Sequence, residues 1–544
     1  MKAYLDELSY YLKHKGYIFS LVLAALISFG YAAVNTTVSI DDTRGDYYLG
    51  SGHVMLSAGR FGMTFFSKIL GGLNEYVYDG FAIDVISVVF FMWAAVNFCI
   101  LFRRIAGTEL GMLSCTVFSC ILISYPLMNE IWEYTMANLC VCVEYFCVSI
   151  ALLLIWNQIH SKWEIRELLP SVLLLMLVCA AYESLVSVYI FLVFAVLALQ
   201  ALYGTDKERG IKEILKQGMI YAGVLAAGFV LKVIVSQLIL SLFHLSKISM
   251  GQVGIVWGQK GFAEGLLDLL KSMKFVYITE AVIYMPLMEF LLCTLLLAAL
   301  GLFLVFKNKN LGLLLPFGGM LISPFLLCFL QGTYTPYRAC QVFAVLVAFA
   351  LLLMLAVLGQ SKRKMLRMAF CAVGGGCLLL SLYQAVYLNY FLTLNHLRWE
   401  EEKRVICNIS DELSRNYDVD KPVVFTGRYH LSDGIVEAAS ISKSSIRWKI
   451  YAREFAEFYE VDYNEVYEYY GRKIPSTNIQ SVLEWAGRAE GGYQGVFRYC
   501  GFHCVDPDPA MIQEADEYVE KNEMPGYPRE GYIQEMENYI IVHF

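Results

Sequence analysis

Charge is scarce in this chain. Only 17% of its 544 residues are Asp, Glu, Lys or Arg, while 58% are apolar; soluble domains carry about a quarter charged residues. A soluble fold of this composition would have nowhere to put its apolar surface, so the balance excludes an ordinary soluble protein. A bilayer resolves the difficulty, because lipid tails solvate apolar side chains directly. Other absences narrow the field. The 15 cysteines form no paired CxxC pattern, so no zinc ribbon is expected. Cys115, Cys120, Cys140, Cys142 and Cys147 lie in apolar runs, where a thiol acts as a small hydrophobe. The first apolar run, Tyr17 to Val34, leads to Asp41-Asp42 without a small-residue cleavage site and reads as a retained span rather than a signal peptide. No internal repeat is seen, which disfavours transporters built on inverted repeats. The net charge of −7 mixes basic loops with an acidic tail and says little as a total.

What is present is a series of long apolar runs. A span needs about 20 apolar residues, and candidates lie at 17–34, 81–102, 110–126, 135–156, 168–182, 184–203, 216–242, 284–306, 311–330, 337–358 and 366–391. The expected fold is a polytopic α-helical membrane protein of about eleven spans with a small α/β domain at the C-terminus. The count depends on splitting 168–203 at Tyr182-Glu183-Ser184. Loop charges support the split. With the N-terminus in the cytoplasm, the inside loops carry Arg103-Arg104, Lys162 with Arg166, Lys207, Arg209 and Lys212, Lys307 with Lys309, and Lys362-Arg363-Lys364 with Arg367; the short outside loops 127–134 and 331–336 contain no Lys or Arg. This is the positive-inside pattern. It places loops 35–80 and 243–283 and the domain 392–544 outside the membrane. Residues 60–73 and 262–275 read as interfacial amphipathic helices. The tail opens on a helical run from Trp399 to Arg415. It contains strand-like Pro422-Val423-Val424-Phe425 and closes on Tyr539-Ile540-Ile541-Val542.

Polar residues cluster at the outside ends of the spans. Asp41-Asp42 follows the first span. A carboxylate there can take a proton from an attacking hydroxyl, and the pair could also hold a divalent cation, Mg or Mn, through oxygen ligands; a solvated turn is the alternative. Arg60 can grip a phosphate by paired hydrogen bonds or simply snorkel. Glu183 interrupts an apolar run, and charges at such depth face cavities or partners; the alternative is an exposed turn. Loop 127–134 adds Glu130 and Glu133 with Trp132 beside them. Together with Tyr182 and Tyr337 these suit a sugar, which offers apolar C–H faces and many hydroxyls, although Trp132 also fits an aromatic belt. Arg338 begins a span on the side where no cation is called for, as a second headgroup ligand or a salt-bridge partner. Cys500 and Cys504 could form a disulfide if the tail is extracytoplasmic.

The order Ser39-Ile40-Asp41-Asp42, Gly59-Arg60, Tyr182-Glu183-Ser184, then Trp399-Glu400, Pro422 to Gly427, Met524-Pro525-Gly526-Tyr527-Pro528 and Gly531-Tyr532-Ile533 resembles the serotype-converting O-antigen glucosyltransferases, the Gtr type II family, over nearly the full length. The resemblance implies a GT-C type membrane transferase that moves one hexose, of glucose type, from a polyprenyl-phosphate donor to a surface glycan on the outer face. It also implies an essential acid in the first external loop, here Asp41 or Asp42. The cysteine-rich spans depart from Gram-negative members, which admits a wall or capsule polymer as acceptor. No nucleic-acid partner is expected. Rival readings are a polysaccharide polymerase or ligase using lipid-linked sugars, a lipid-linked sugar transporter, and an assembly scaffold. Charges gathered at span ends count against the transporter.

Overall fold

The computed structural model describes residues 2–43, 52–71, 80–161, 164–205, 210–248, 257, 259, 261–283, 288–332, 335–360, 363–439, 445–464, 466, 481–487 and 492–544. Parts of the two long loops, 44–51, 72–79 and 249–256, lie outside them, as do Lys162, Lys207, Arg209, Lys362 and the residues 333–334.

In chain order the helices are α1 (Lys2–Lys13), α2 (Lys15–Val34), α3 (His53–Ser57), α4 (Phe61–Phe66), α5 (Gly80–Ala106), α6 (Met112–Ser124), α7 (Met128–Trp132), α8 (Thr135–Ile159), α9 (Leu169–Ala180), α10 (Leu185–Tyr203), α11 (Ile211–Leu242), α12 (Phe262–Ile283), α13 (Glu289–Asn308), α14 (Leu314–Ile322), α15 (Leu326–Gln331), α16 (Val342–Gly359) and α17 (Lys364–Asn416). Among the described residues nine stretches are long and apolar enough to cross a membrane: those of α2, α5, α8, α10, α11, α13, α16 and α17, and the broken run Leu311–Gln331 that holds α14 and α15. Two of the eleven expected spans, α6 and α9, are apolar but have only 13 and 12 residues. At 1.5 Å per residue α9 is about 18 Å long, short of a hydrocarbon core of about 30 Å. It stops because the chain turns at Tyr182-Glu183-Ser184, so the expected break is real. α8, α10 and α16 are enclosed by the bundle, whereas α11 and the apolar part of α17 turn most of their side chains outward.

The last span does not end where its apolar run ends. α17 has 53 residues, roughly 80 Å, and the run from Trp399 to Arg415 is its continuation. No Pro or Gly interrupts 377–416, so no local signal stops the helix as it leaves the apolar zone. Beyond it, β1 (Val423–Thr426) lies parallel to β3 (Ile540–His543), which pairs antiparallel with β2 (Ile533–Glu535), in the order β1-β3-β2. Ile406, Ile409 and Leu413 of α17 pack with Val423, Val496, Phe497 and Ile540 in the tail core, and Val38, from the loop after α2, is buried in the same core. Cys500 and Cys504 are free thiols.

Candidate functional site

The end of the bundle nearest the tail gathers most of the polar residues named above. The chain leaves α2 and forms a tight turn, Asp41–Thr43. Ser39 closes it by donating from N and Oγ to Asp42 Oδ2 at 2.9 and 2.8 Å. Thr135, the first residue of α8, approaches the same oxygen with N and Oγ1 at 3.4 Å, so Asp42 sits where a helix N-terminus favours an anion. Asp42 is only 4% exposed. Burial pushes its pKa up to about 6, against the hydrogen bonds of Ser39 and Thr135. Its neighbour Asp41 is half-buried. Three residues further along α8, Asn138 donates to Asp84 Oδ1 at 2.6 Å and accepts from Ser87 Oγ at 3.1 Å. A buried polar layer thus underlies the turn.

A second strand of the site runs through α7. Glu130 Oε2 accepts the backbone N–H of Arg338 at 2.8 Å. The Arg338 guanidinium stands 6.0 Å over the Tyr134 ring. Burial works against its charge, yet Tyr134, Tyr182, Glu130 and Asp41 together raise its pKa above the ordinary arginine value. It is a fixed cation.

The third part is the break between α9 and α10. Arg60, just ahead of α4, donates through Nη2 to Glu183 Oε2 at 3.1 Å and lies 5.7 Å over the Tyr182 ring. Glu144, fully buried on α8, accepts the Tyr182 backbone N–H at 2.6 Å and so satisfies a donor that the interrupted helix would otherwise strand. Burial drives the Tyr182 hydroxyl up to about 12, opposed by Arg338 and Arg60. Arg60 thus pairs with Glu183 beside Tyr182, while Arg338, bonded through its backbone to Glu130, stands over Tyr134 at the start of the helix that Asp42 touches.

Residues 30–355 match the family described as Glucosyl transferase GtrII. The chain belongs to that family. No curated protein matches the sequence. Membership of the GtrII family implies a glucosyltransferase, and the GtrII region contains every candidate residue of the site. All of α17 and the tail lie beyond residue 355, outside the match, yet they hold its first loop. Arg398 Nη2 donates to the Val38 carbonyl at 2.8 Å. Its partner Glu402, 3.0 Å away and like it fully buried, accepts from Ser481 Oγ at 2.6 Å and Leu483 N at 3.0 Å. Gly495 lies so close that a methyl group on it would come within 3.3 Å of the Thr43 carbonyl.

Three predicted residues stand behind this cluster rather than in it. Trp132 is 2% exposed and stacks on Phe29 at 4.0 Å, so its faces are covered by protein. Glu133 is buried beside Tyr134. The Tyr337 hydroxyl donates to the Val276 carbonyl on α12 at 3.1 Å. Sequence reasoning passed over Asp84 and Glu144, although an ionisable residue inside an apolar run was a usable signal for both. Glu144, about 14 Å along α8 from its start, departs from the expectation that charges gather at the external ends of the spans. Among the described residues no group of three or more His, Cys, Asp and Glu side chains forms a metal cluster. The oxygen donors nearest to hand for a divalent cation are Asp41 and Asp42.

Proposed function

We propose that this GtrII protein moves a single glucosyl unit from a polyprenyl-phosphate donor to a hydroxyl of a surface glycan, on the outer face of the bacterial plasma membrane, with inversion at the anomeric carbon. The observation that carries the proposal is the approach of the acidic turn to the N-terminus of α8: Thr135 N lies 3.4 Å from Asp42 Oδ2, and the Arg338 guanidinium stands 6.0 Å over the ring of the adjacent Tyr134. Asp42 is enclosed and already accepts hydrogen bonds from Ser39, which suits it to hold the turn. Asp41 is the more open carboxylate and takes the part of general base.

In this mechanism the acceptor O–H gives its proton to Asp41 as its oxygen bonds to C1 of the donor sugar. The C1–O bond to phosphate breaks, and its electron pair leaves with the phosphate oxygen. Polyprenyl phosphate and a glycan longer by one residue are the products. Arg338 and Arg60 face the charge that grows on the phosphate, where fixed donors act most strongly. Glu183 orients Arg60 through their ion pair, and Tyr182 and Glu130 border the sugar.

The test is transfer by the purified full-length protein, with polyprenyl-phosphate glucose, candidate glycans, and chelator present or absent, read as a mass gain of one hexose. Asp41→Asn should lower the rate about 100-fold or more, and Asp42→Asn by less than about tenfold. Wild-type rates in Asp41→Asn would refute the base assignment. Gain of a whole oligosaccharide instead would favour a polymerase or ligase.

A further inference from the structure

The outer half of α11 faces lipid: Phe229, Val230, Val233, Ile234 and Leu238 are 42–57% exposed. Polar residues interrupt this run: Gln237 is exposed, while Lys232, half-buried, and Ser236, buried, lie one turn apart on the same face. Lys232 lies ten residues before the end of the helix at Leu242, about 15 Å along the axis. No carboxylate pairs with it among the described residues; the apolar ring of Phe229 lies 6.0 Å from its ammonium. Ser236 is 8% exposed, and its Oγ has no hydrogen-bond partner.

Both are aimed at the same place. Gly59 has φ +73°, and a methyl group built on it would stand 3.4 Å from Ser236 Oγ and 3.6 Å from Lys232 Nζ. The next residue is Arg60, the cation at the entrance to the site. An unpaired ammonium about 15 Å inside the end of an apolar helix is costly unless an anion accompanies it, and a buried hydroxyl without a partner leaves a hydrogen bond unmade. Alongside, Phe65 and Ile69, which follow Arg60 by five and nine residues, are 47% and 62% exposed and extend the apolar surface.

We infer that Lys232 and Ser236, together with Arg60, seat the phosphate of a lipid-borne phosphate ester that reaches the site sideways from the bilayer, its isoprenoid tail lying along α11. This deepens the function proposed above and rests on it for the identity of the lipid. An ordinary phospholipid offers the same phosphate chemistry, so the competition arm of the test separates the two sources.

The measurement is equilibrium binding of farnesyl phosphate to the full-length protein in phosphatidylcholine nanodiscs, with farnesol as the phosphate-free control. Lys232→Gln should weaken farnesyl phosphate binding about tenfold or more, the scale of one charge-assisted hydrogen bond. Lys232→Arg should restore it to within about threefold, and Ser236→Ala should give a smaller loss. Farnesol binding should be the same in all four proteins. The seat is overturned by unchanged affinity in Lys232→Gln, by an equal loss for farnesol, or by phosphatidylglycerol displacing farnesyl phosphate at equal concentration. Its fate is separable from that of the transfer mechanism. A fully active Asp41→Asn beside a binding-deficient Lys232→Gln sinks the mechanism alone, and an inactive Asp41→Asn beside a Lys232→Gln that binds normally sinks the seat alone.

Discussion

Asp42 holds its turn from a position where ionisation is costly. Its pKa in the fold, about 6, exceeds the ~3.9 of an unfolded aspartate, so the fold favours the protonated form. The resulting stabilisation is complete below about pH 4 and is lost as pH rises through about 6. Asp42→Asn retains an acceptor for Ser39 and cannot ionise. Its stability should therefore gain on that of the wild type as pH rises from about 4 to 7, by up to roughly 3 kcal/mol. Thermal midpoints of both proteins, followed across that window in one detergent, check this; parallel curves would contradict it. The acidic pair itself was legible in the sequence, because two carboxylates after an apolar span stand out. The division of labour proposed for them was not. It depends on Ser39 and Thr135 reaching Asp42 rather than Asp41, and Thr135 is 93 residues away along the chain.

At the scale of elements, the site depends on a short helix driven against a broken one. α4 is buried at Phe61, Gly62, Met63, Thr64 and Phe66. α4 therefore enters the bundle, while Phe65 and Ile69 stay exposed on its outer side. Gly62 makes this approach possible: a Cβ there would lie 3.0 Å from the carbonyl carbon and oxygen of Ala180. Gly62→Val should cost about 1–3 kcal/mol of stability and reduce transfer, because Arg60 and Glu183 sit on the two elements it would push apart. Gly375→Ala, where a methyl group meets nothing within 4 Å, should leave both unharmed. Thermal midpoint and transfer rate on the pair of variants decide the matter. Span positions were readable because the length of an apolar run reports directly on a bilayer. The break at Glu183 was readable because a charge there violates that run. The entry of α4 was not, since tucking a helix into a bundle is set by the shape of its neighbours. Nor was the length of α17: sequence marks helix ends by Pro, Gly and caps, and none marks the edge of the apolar zone.

The whole molecule is a helical membrane bundle whose C-terminal tail, built of helices and a three-stranded sheet, is clamped on its first loop. Arg398 and Val38, which make one of the clamping contacts, are 360 residues apart, beyond anything a local pattern reveals. The loop charges predict that this end faces out. Cys407 is exposed on the tail-side part of α17, so a membrane-impermeant maleimide should label it in intact cells, with the modified peptide absent from Cys407→Ser. Labelling only after permeabilisation would invert the assigned topology. α17 also fixes the angular phase between its two halves. One residue inserted between Leu392 and Arg398 would rotate everything beyond it by about 100° and advance it by 1.5 Å, swinging the guanidinium away from the loop it grips. Seven inserted residues would nearly restore the angle but carry the tail about 10 Å along the axis. A tail from a relative can thus be grafted only at a junction that conserves the residue count along α17, as gear teeth must mesh in both rotation and depth.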